Sequence, residues 1–212
     1  MANEVVDGSN KIVRKVNLAK PMITQEDIDG VVAVLKSGWL SLGPKITEFE
    51  NNFAAKIGAK YAIGVNSGTS GLHLCIKALG IGKGDEVITS PFSFVASSNC
   101  ALYEGAKPVF VDVKEETFNL DVNLIEAAIT ERTRAIVVPH IFGQSCDMTR
   151  LMEIARERNL YVIEDACESI LAKHSGKNLG TFGDVSVFAF YPNKQMTTGE
   201  GGMILTDNKQ IA

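Results

Sequence analysis

Three histidines in 212 residues, four scattered cysteines and one tryptophan leave little material for metal chemistry. Cys75, Cys100, Cys146 and Cys167 form no C-x-x-C pair and have no histidine cluster beside them, so no metal is expected and the thiols read as reduced and structural. Blocks of like charge are absent too. The 21 Lys and Arg against 25 Asp and Glu give a formal net charge of -4, which argues against nucleic acid as a partner. No apolar run approaches the about 20 residues that span a bilayer, and the first residues lack the short apolar core of a signal peptide. No membrane partner is therefore expected, and a cytoplasmic protein is. There is no internal repeat and no low-complexity segment.

What is present is a chain with 45% hydrophobic and 22% charged residues, ample for a buried core. Residues 1–15 are polar and show neither helical nor strand periodicity, which predicts a flexible leader. Thr24 followed by Asp27 resembles a capping box, and Ile28, Val31, Val32 and Leu35 then fall on one helical face, ending near Ser37-Gly38. Pro44 suits a helix first turn, and Ile46, Phe49, Phe53 and Ile57 form a stripe before Gly58. From Tyr61 onward short β-rich runs alternate with helical stretches: 61–65, 86–89, 108–113, 135–139 and 160–164. Such alternation predicts an α/β fold with a mainly parallel sheet covered by helices. Two later runs, 185–190 and 202–206, are too close for a long helix between them; they pair antiparallel, or one sits at the sheet edge.

Open α/β sheets bind ligands at the carboxyl ends of their strands, and four such ends here carry unusual chemistry. Asn66-Ser67-Gly68-Thr69-Ser70-Gly71 opens an apolar helix, and free amides with hydroxyls at a helix start make a phosphate cup; a tight turn with a serine cap is the plainer reading. Ser90-Pro91-Phe92-Ser93-Phe94 offers an aromatic that stacks on a flat ring or else fills the core. Glu164-Asp165 ends the next candidate strand. Asp165 there can hold a ring nitrogen protonated, although an N-cap or a metal ligand fits a lone strand-end Asp as well. Lys194 leaves an apolar strand ahead of the glycine-rich 197–202, where partial desolvation favours a nucleophilic amine; a solvated surface lysine is the alternative.

Together these stretches resemble the DegT/DnrJ/StrS family of sugar-nucleotide aminotransferases. The similarity runs from Val16 onward through Ser37-Gly38-Trp39-Leu40-Ser41, Gly43-Pro44, Ser67-Gly68-Thr69-Ser70 and Glu164-Asp165-Ala166. The most specific block runs from Gly183-Asp184 into Asn193-Lys194 and on through Thr197-Thr198-Gly199-Glu200-Gly201-Gly202-Met203, which is similar to the lysine loop of the perosamine-synthase kind.

The resemblance implies the large domain of a PLP-dependent transferase of the aspartate-aminotransferase fold (fold type I), a three-layer sandwich over residues 16–212. It implies pyridoxal 5'-phosphate as cofactor, with Lys194 forming the Schiff base and shuttling protons, and Asp165 on the pyridine nitrogen. Phe94 would stack on the ring, Gly68, Thr69 and Ser70 would bind the phosphate, and Glu168 would line the pocket. The partners it implies are a nucleotide-sugar substrate, glutamate as amino donor, and a second copy of the chain in a homodimer.

Two departures accompany it. Relatives often carry a serine five residues before the lysine as a phosphate ligand, where this chain has Ala189. The family also continues into a C-terminal small domain that these residues do not include, so activity of the 212 residues alone is not expected. Rival readings are sugar dehydration, which relatives perform with histidine in place of the lysine, and a regulatory module that keeps the cup without turnover. A nicotinamide domain is disfavoured because Ser67 to Gly71 is not G-x-G-x-x-G.

Overall fold

The computed structural model describes residues 3–6, 12–15 and 19–212. The leader expected over residues 1–15 lies partly outside these. The two stretches of it that are described, β1 (Asn3–Val6) and β2 (Ile12–Lys15), pair antiparallel, where the sequence pattern predicts no strand.

Helix α1 (Gln25–Ser37) begins as expected: Thr24 caps the Asp27 amide, the Asp27 carboxylate returns a bond to the Thr24 amide at 2.8 Å, and Gly38 ends the helix in the left-handed region. Its apolar face is a departure. Ile28, Val31, Val32 and Leu35 share the face the spacing predicts, but none of them is buried. Helix α2 (Pro44–Ile57) has Pro44 in its first turn and left-handed Gly58 at its end. Its stripe is used: Phe49 and Phe53 meet Phe190 and Phe188 on the sheet in tilted or edge-on contacts.

The remaining elements alternate as the runs predict: β3 (Tyr61–Val65), α3 (Gly68–Ala78), β4 (Glu86–Thr89), α4 (Ala96–Tyr103), β5 (Lys107–Phe110), α5 (Ile125–Ala128), β6 (Thr133–Pro139), α6 (Met148–Arg158) and β7 (Tyr161–Asp165) follow in order. A small hairpin of β8 (Lys173–His174) and β9 (Lys177–Asn178) precedes β10 (Val185–Ala189) and β11 (Gly202–Thr206). The large sheet has the order β3-β11-β10-β7-β6-β4-β5. The pairs from β10 through to β5 are parallel, and β11 runs antiparallel to both of its neighbours. The antiparallel alternative for 185–190 and 202–206 is thus the one adopted, and β3 and β5 take the edges.

Several strand boundaries shift by one to three residues, and two of the shifts have a visible cause. β5 stops at Phe110 rather than 113 because its partner β4 ends at Thr89, which leaves no ladder beyond that point. β7 starts one residue late because the Leu160 amide closes α6 onto Ala155, after Asn159 turns into the left-handed region.

Side chains alternate across each strand, so the sheet has two covered faces. Val87, Ala135, Ile163, Val187 and Ile204 pack with α3 and α4. Ile88, Ile136, Val138 and Val162 pack with α5 and α6 on the other face, where α2 covers Phe188, Met203 and Leu205. The result is the three-layer α/β sandwich expected, with helices on both sides of the sheet. α3 comes especially close: a Cβ on Gly71 would sit 2.7 Å from Val187 Cγ1, so only glycine lets the helix start rest on β10.

Candidate functional site

The carboxyl ends of β4, β6, β7 and β10 deliver side chains to one cavity of about 290 Å³. Its lining includes Phe94, Asp165, Glu168 and Lys194, four of the residues singled out above, together with Cys167 and His140. Gly68, Thr69 and Ser70 lie beside this cavity rather than in its lining. The link is short: a Cβ built on Gly68 would stand 2.8 Å from the Ala189 Cβ and 3.0 Å from Cys167 Sγ.

That turn is built for an anion. Ser67 caps α3 by accepting from the Ser70 amide at 3.1 Å, and the Gly71 amide bonds the Ser67 carbonyl, which leaves the Gly68 and Thr69 amides with no partner inside the helix. Amides at a helix start, with the positive end of its dipole, favour an anionic group. The second glycine requirement is at Gly202, where a Cβ would fall 2.9 Å from the Gly68 nitrogen. Ala189, the departure noted above, therefore faces the cup directly and brings no hydroxyl to it.

Phe94 is 72% exposed, which removes the core reading for it. Other rings stand at the same rim, with Phe92 5.3 Å from Phe118 and 6.2 Å from Phe142 between centroids. Phe118 and Phe142 both have positive φ, an unfavourable backbone state for a bulky residue that clusters at functional sites.

Asp165 is the last residue of β7 and only 7% exposed. Its Oδ2 accepts from the buried Ser97 hydroxyl at 2.6 Å, and its Oδ1 from the Cys167 amide at 3.3 Å. A carboxylate held in this way by hydrogen bonds is neither an N-cap for a following helix nor grouped with other metal-binding side chains among the described residues. Burial raises the neighbouring Cys167 thiol well above its ordinary value, and the charge of Asp165 adds to this, so Cys167 stays a neutral packing group.

Glu164 points to the opposite side of the strand, as the alternation requires. It is fully buried and accepts from the amides of Gly180, Phe182 and Gly183 at 2.7, 2.6 and 2.8 Å. His140 completes the set. Its Nδ1 accepts from the Cys146 amide, which puts the ring proton on Nε2, 3.2 Å from Glu164 Oε2. Burial pushes the Glu164 carboxyl up, but His140 and the amides outweigh it and hold it below the ordinary value. The two adjacent acids thus divide their work, one facing the cavity and one tying β7 to the loop that leads into β10.

Lys194 follows β10 in a turn closed by its own amide onto the Tyr191 carbonyl. Its side chain is only 16% exposed, so the plain surface reading does not hold. Nζ donates to Glu168 Oε1 at 2.9 Å, while Oε2 of the same carboxylate accepts from the Phe142 amide at 3.0 Å. The Gln195 side-chain amide also donates to the Glu168 carbonyl. The glycine-rich stretch after Lys194 folds back on the strand, with the Phe190 carbonyl accepting from Thr197 Oγ1 and from the Thr198 amide.

Ser93, Ser97, His140 and Glu164 are functional neighbours that sequence reading missed or left without a role. Ser93 lies in the bend before α4 and Ser97 within the helix, so no helical spacing in the sequence marks the pair. As a set, the residues suit a flat ligand that carries an anionic group, a basic ring nitrogen and a carbonyl for the amine.

The chain matches the DegT/DnrJ/EryC1/StrS aminotransferase family over residues 21–212. It is 47% identical over 192 residues to the spore coat polysaccharide biosynthesis protein SpsC of Bacillus subtilis, covering 91% of this chain and 49% of that protein. It is 46% identical over 199 residues to GDP-perosamine synthase of Caulobacter vibrioides, covering 93% of this chain and 54% of the other. Among solved structures, an aminotransferase from Psychrobacter cryohalolentis superposes with a TM-score of 0.89 at 40% identity, covering 90% of this chain and 49% of that one. The chain spans about half the length of the curated relatives it matches.

Proposed function

This chain belongs to the DegT/DnrJ/EryC1/StrS aminotransferase family, and from that premise we propose that it is the cofactor-carrying part of a pyridoxal phosphate enzyme that transfers an amino group to a nucleotide-linked keto-deoxy sugar. The observation that carries this reading is the convergence of Lys194, Asp165 and Phe94, from three different strand ends, on one cavity. Pyridoxal phosphate, when bound, supplies an electron sink that lets an amino group pass between two carbon skeletons.

The protein's own residues do the rest. Lys194 supplies the amine that holds the cofactor and then carries protons at the reacting carbon. Glu168 orients that amine through the 2.9 Å bond. Asp165 holds the ring nitrogen protonated by a charge-assisted hydrogen bond. The Gly68 and Thr69 amides, with the Thr69 and Ser70 hydroxyls, receive the phosphate. Phe94 covers one ring face and excludes water there.

Glutamate as the amino donor, a homodimer whose second copy completes the site, and a cytoplasmic location belong to the same proposal. Residues 16–212 are read as the large domain, and residues 1–15 as a leader to it.

The test is transfer from ¹⁵N-glutamate to a nucleotide-linked keto-deoxy sugar by the intact protein, with the small domain its relatives carry, followed by mass spectrometry. The expected result is a labelled amino sugar and one 2-oxoglutarate per turnover, with none from Lys194→Ala. A protein that holds the cofactor but gives no labelled sugar with any such substrate contradicts the proposed reaction.

A further inference from the structure

Beneath the cavity a chain of hydroxyls runs to Asp165, and the chemistry of its members sets its direction. An ionised carboxylate only accepts hydrogen bonds, so the 2.6 Å contact must be Ser97 Oγ–H donating to Asp165 Oδ2. A hydroxyl has one proton. With that proton committed, Ser97 can only accept from Ser93, whose Oγ lies 2.9 Å away. Ser93 lines the cavity, Ser97 is 1% exposed, and Asp165 lies 68 residues further along the chain. The order Ser93 to Ser97 to Asp165 is thus a polarised path from the cavity wall to the buried carboxylate, in which each bond strengthens the next.

The contact length falls in the range of a charge-assisted O–H···O bond. It comes from α4, a different element from the strand that carries Asp165, and it is not needed to satisfy any backbone group. The Cys167 amide holds the other oxygen at 3.3 Å, so the carboxylate is gripped on both oxygens and its remaining lone pairs are left for the cavity.

From this geometry we infer that Ser97, supported by Ser93, is a positioning residue that fixes the plane and the charge of the Asp165 carboxylate. The inference rests on the reading that Asp165 meets a ring nitrogen. Removing the Ser97 hydroxyl frees the carboxylate to turn and leaves its charge less dispersed. Both changes alter how firmly a protonated ring nitrogen is held. The other titratable groups around Asp165 are Cys100 on α4, Cys167 and Glu168 after β7, His140 after β6 and Lys194 after β10. None of them is removed by a change at Ser97.

The test compares wild type, Ser97→Ala, Ser97→Thr and Ser93→Ala mixed with pyridoxal phosphate. Three quantities are read: the dissociation constant, the pH midpoint of the visible absorbance band, and the residue labelled after borohydride reduction. The expected result is that Ser97→Ala is still labelled on Lys194 but binds roughly tenfold or more weakly, as loss of a hydrogen bond to a charged group implies, with a moved midpoint. Ser97→Thr should restore both.

A Ser97→Ala protein with the wild-type affinity and midpoint overturns the inference while leaving the cofactor reading intact. If wild type itself is not labelled on Lys194, that reading falls and the inference falls with it. Should Ser97→Ala not fold by circular dichroism, Ser93→Ala decides, since Ser93 lies at the cavity wall: a moved midpoint supports the chain of hydroxyls and an unmoved one overturns it.

Discussion

Ala189 is the residue at which this chain parts from the pattern it otherwise follows. Its side chain faces the start of α3, so a hydroxyl there would reach the same anion as the Gly68 and Thr69 amides. A hydrogen bond to a charged group is worth roughly 1.5 to 3 kcal/mol, so Ala189→Ser is expected to tighten pyridoxal phosphate binding by about tenfold or more. Absorbance titration measures this, and an unchanged or weaker affinity would show that another donor already fills the place. At this scale, residues at strand ends were legible in the sequence: Lys194, Asp165, Phe94 and Glu168 all reach the cavity. Ser97 and His140 were not, because their roles depend on partners 68 and 24 residues away that only the folded sheet brings near.

Elements whose ends are marked by local chemistry were read closely. The Thr24 and Asp27 box, Pro44 and Gly58 set the helix limits as expected, because capping acts within a few residues. Strand ends were read less well where the partner strand sets them, as at β5. What ties the strand starts together, at the end of the sheet away from the cavity, was not read at all. Glu86, nearly fully buried, accepts from Thr130 Oγ1 at 2.6 Å and from Arg132 at 2.8 Å, with Lys107 3.5 Å away, so it joins the beginnings of β4, β5 and β6. Those hydrogen bonds hold its carboxyl down at about 2 against an ordinary 4.5. A depressed folded value means that the contribution to stability is complete above the ordinary value and is lost as pH falls from about 4.5 through about 2. Urea midpoints across that window should therefore fall for wild type and fall less for Glu86→Gln. Parallel curves would mean that the cluster does not couple to folding.

For the molecule as a whole, composition and alternation gave the layered α/β fold, since periodicity in strands and helices follows directly from which faces are covered. They did not reveal which apolar faces would remain open. The α1 stripe has the same kind of spacing as that of α2, yet α2 packs on the sheet and α1 does not. Met22, Trp39, Leu40 and Leu42, close to the helix in the sequence, are exposed as well. Exposed apolar side chains in this number favour association. Light scattering on the chain should give a mass that rises with concentration, and Val31→Glu combined with Leu35→Glu should lower it at each concentration. Identical mass curves for the two proteins would rule this surface out as the source.

Every role proposed for the cavity depends on Lys194 being the amine that holds the cofactor. Borohydride reduction of the purified protein mixed with pyridoxal phosphate, followed by peptide mass mapping, tests it most directly. The expected result is one reduced adduct, on Lys194, and its loss in Lys194→Arg while Asp165 and Phe94 remain. An adduct on another lysine, or none in a folded protein, would contradict it.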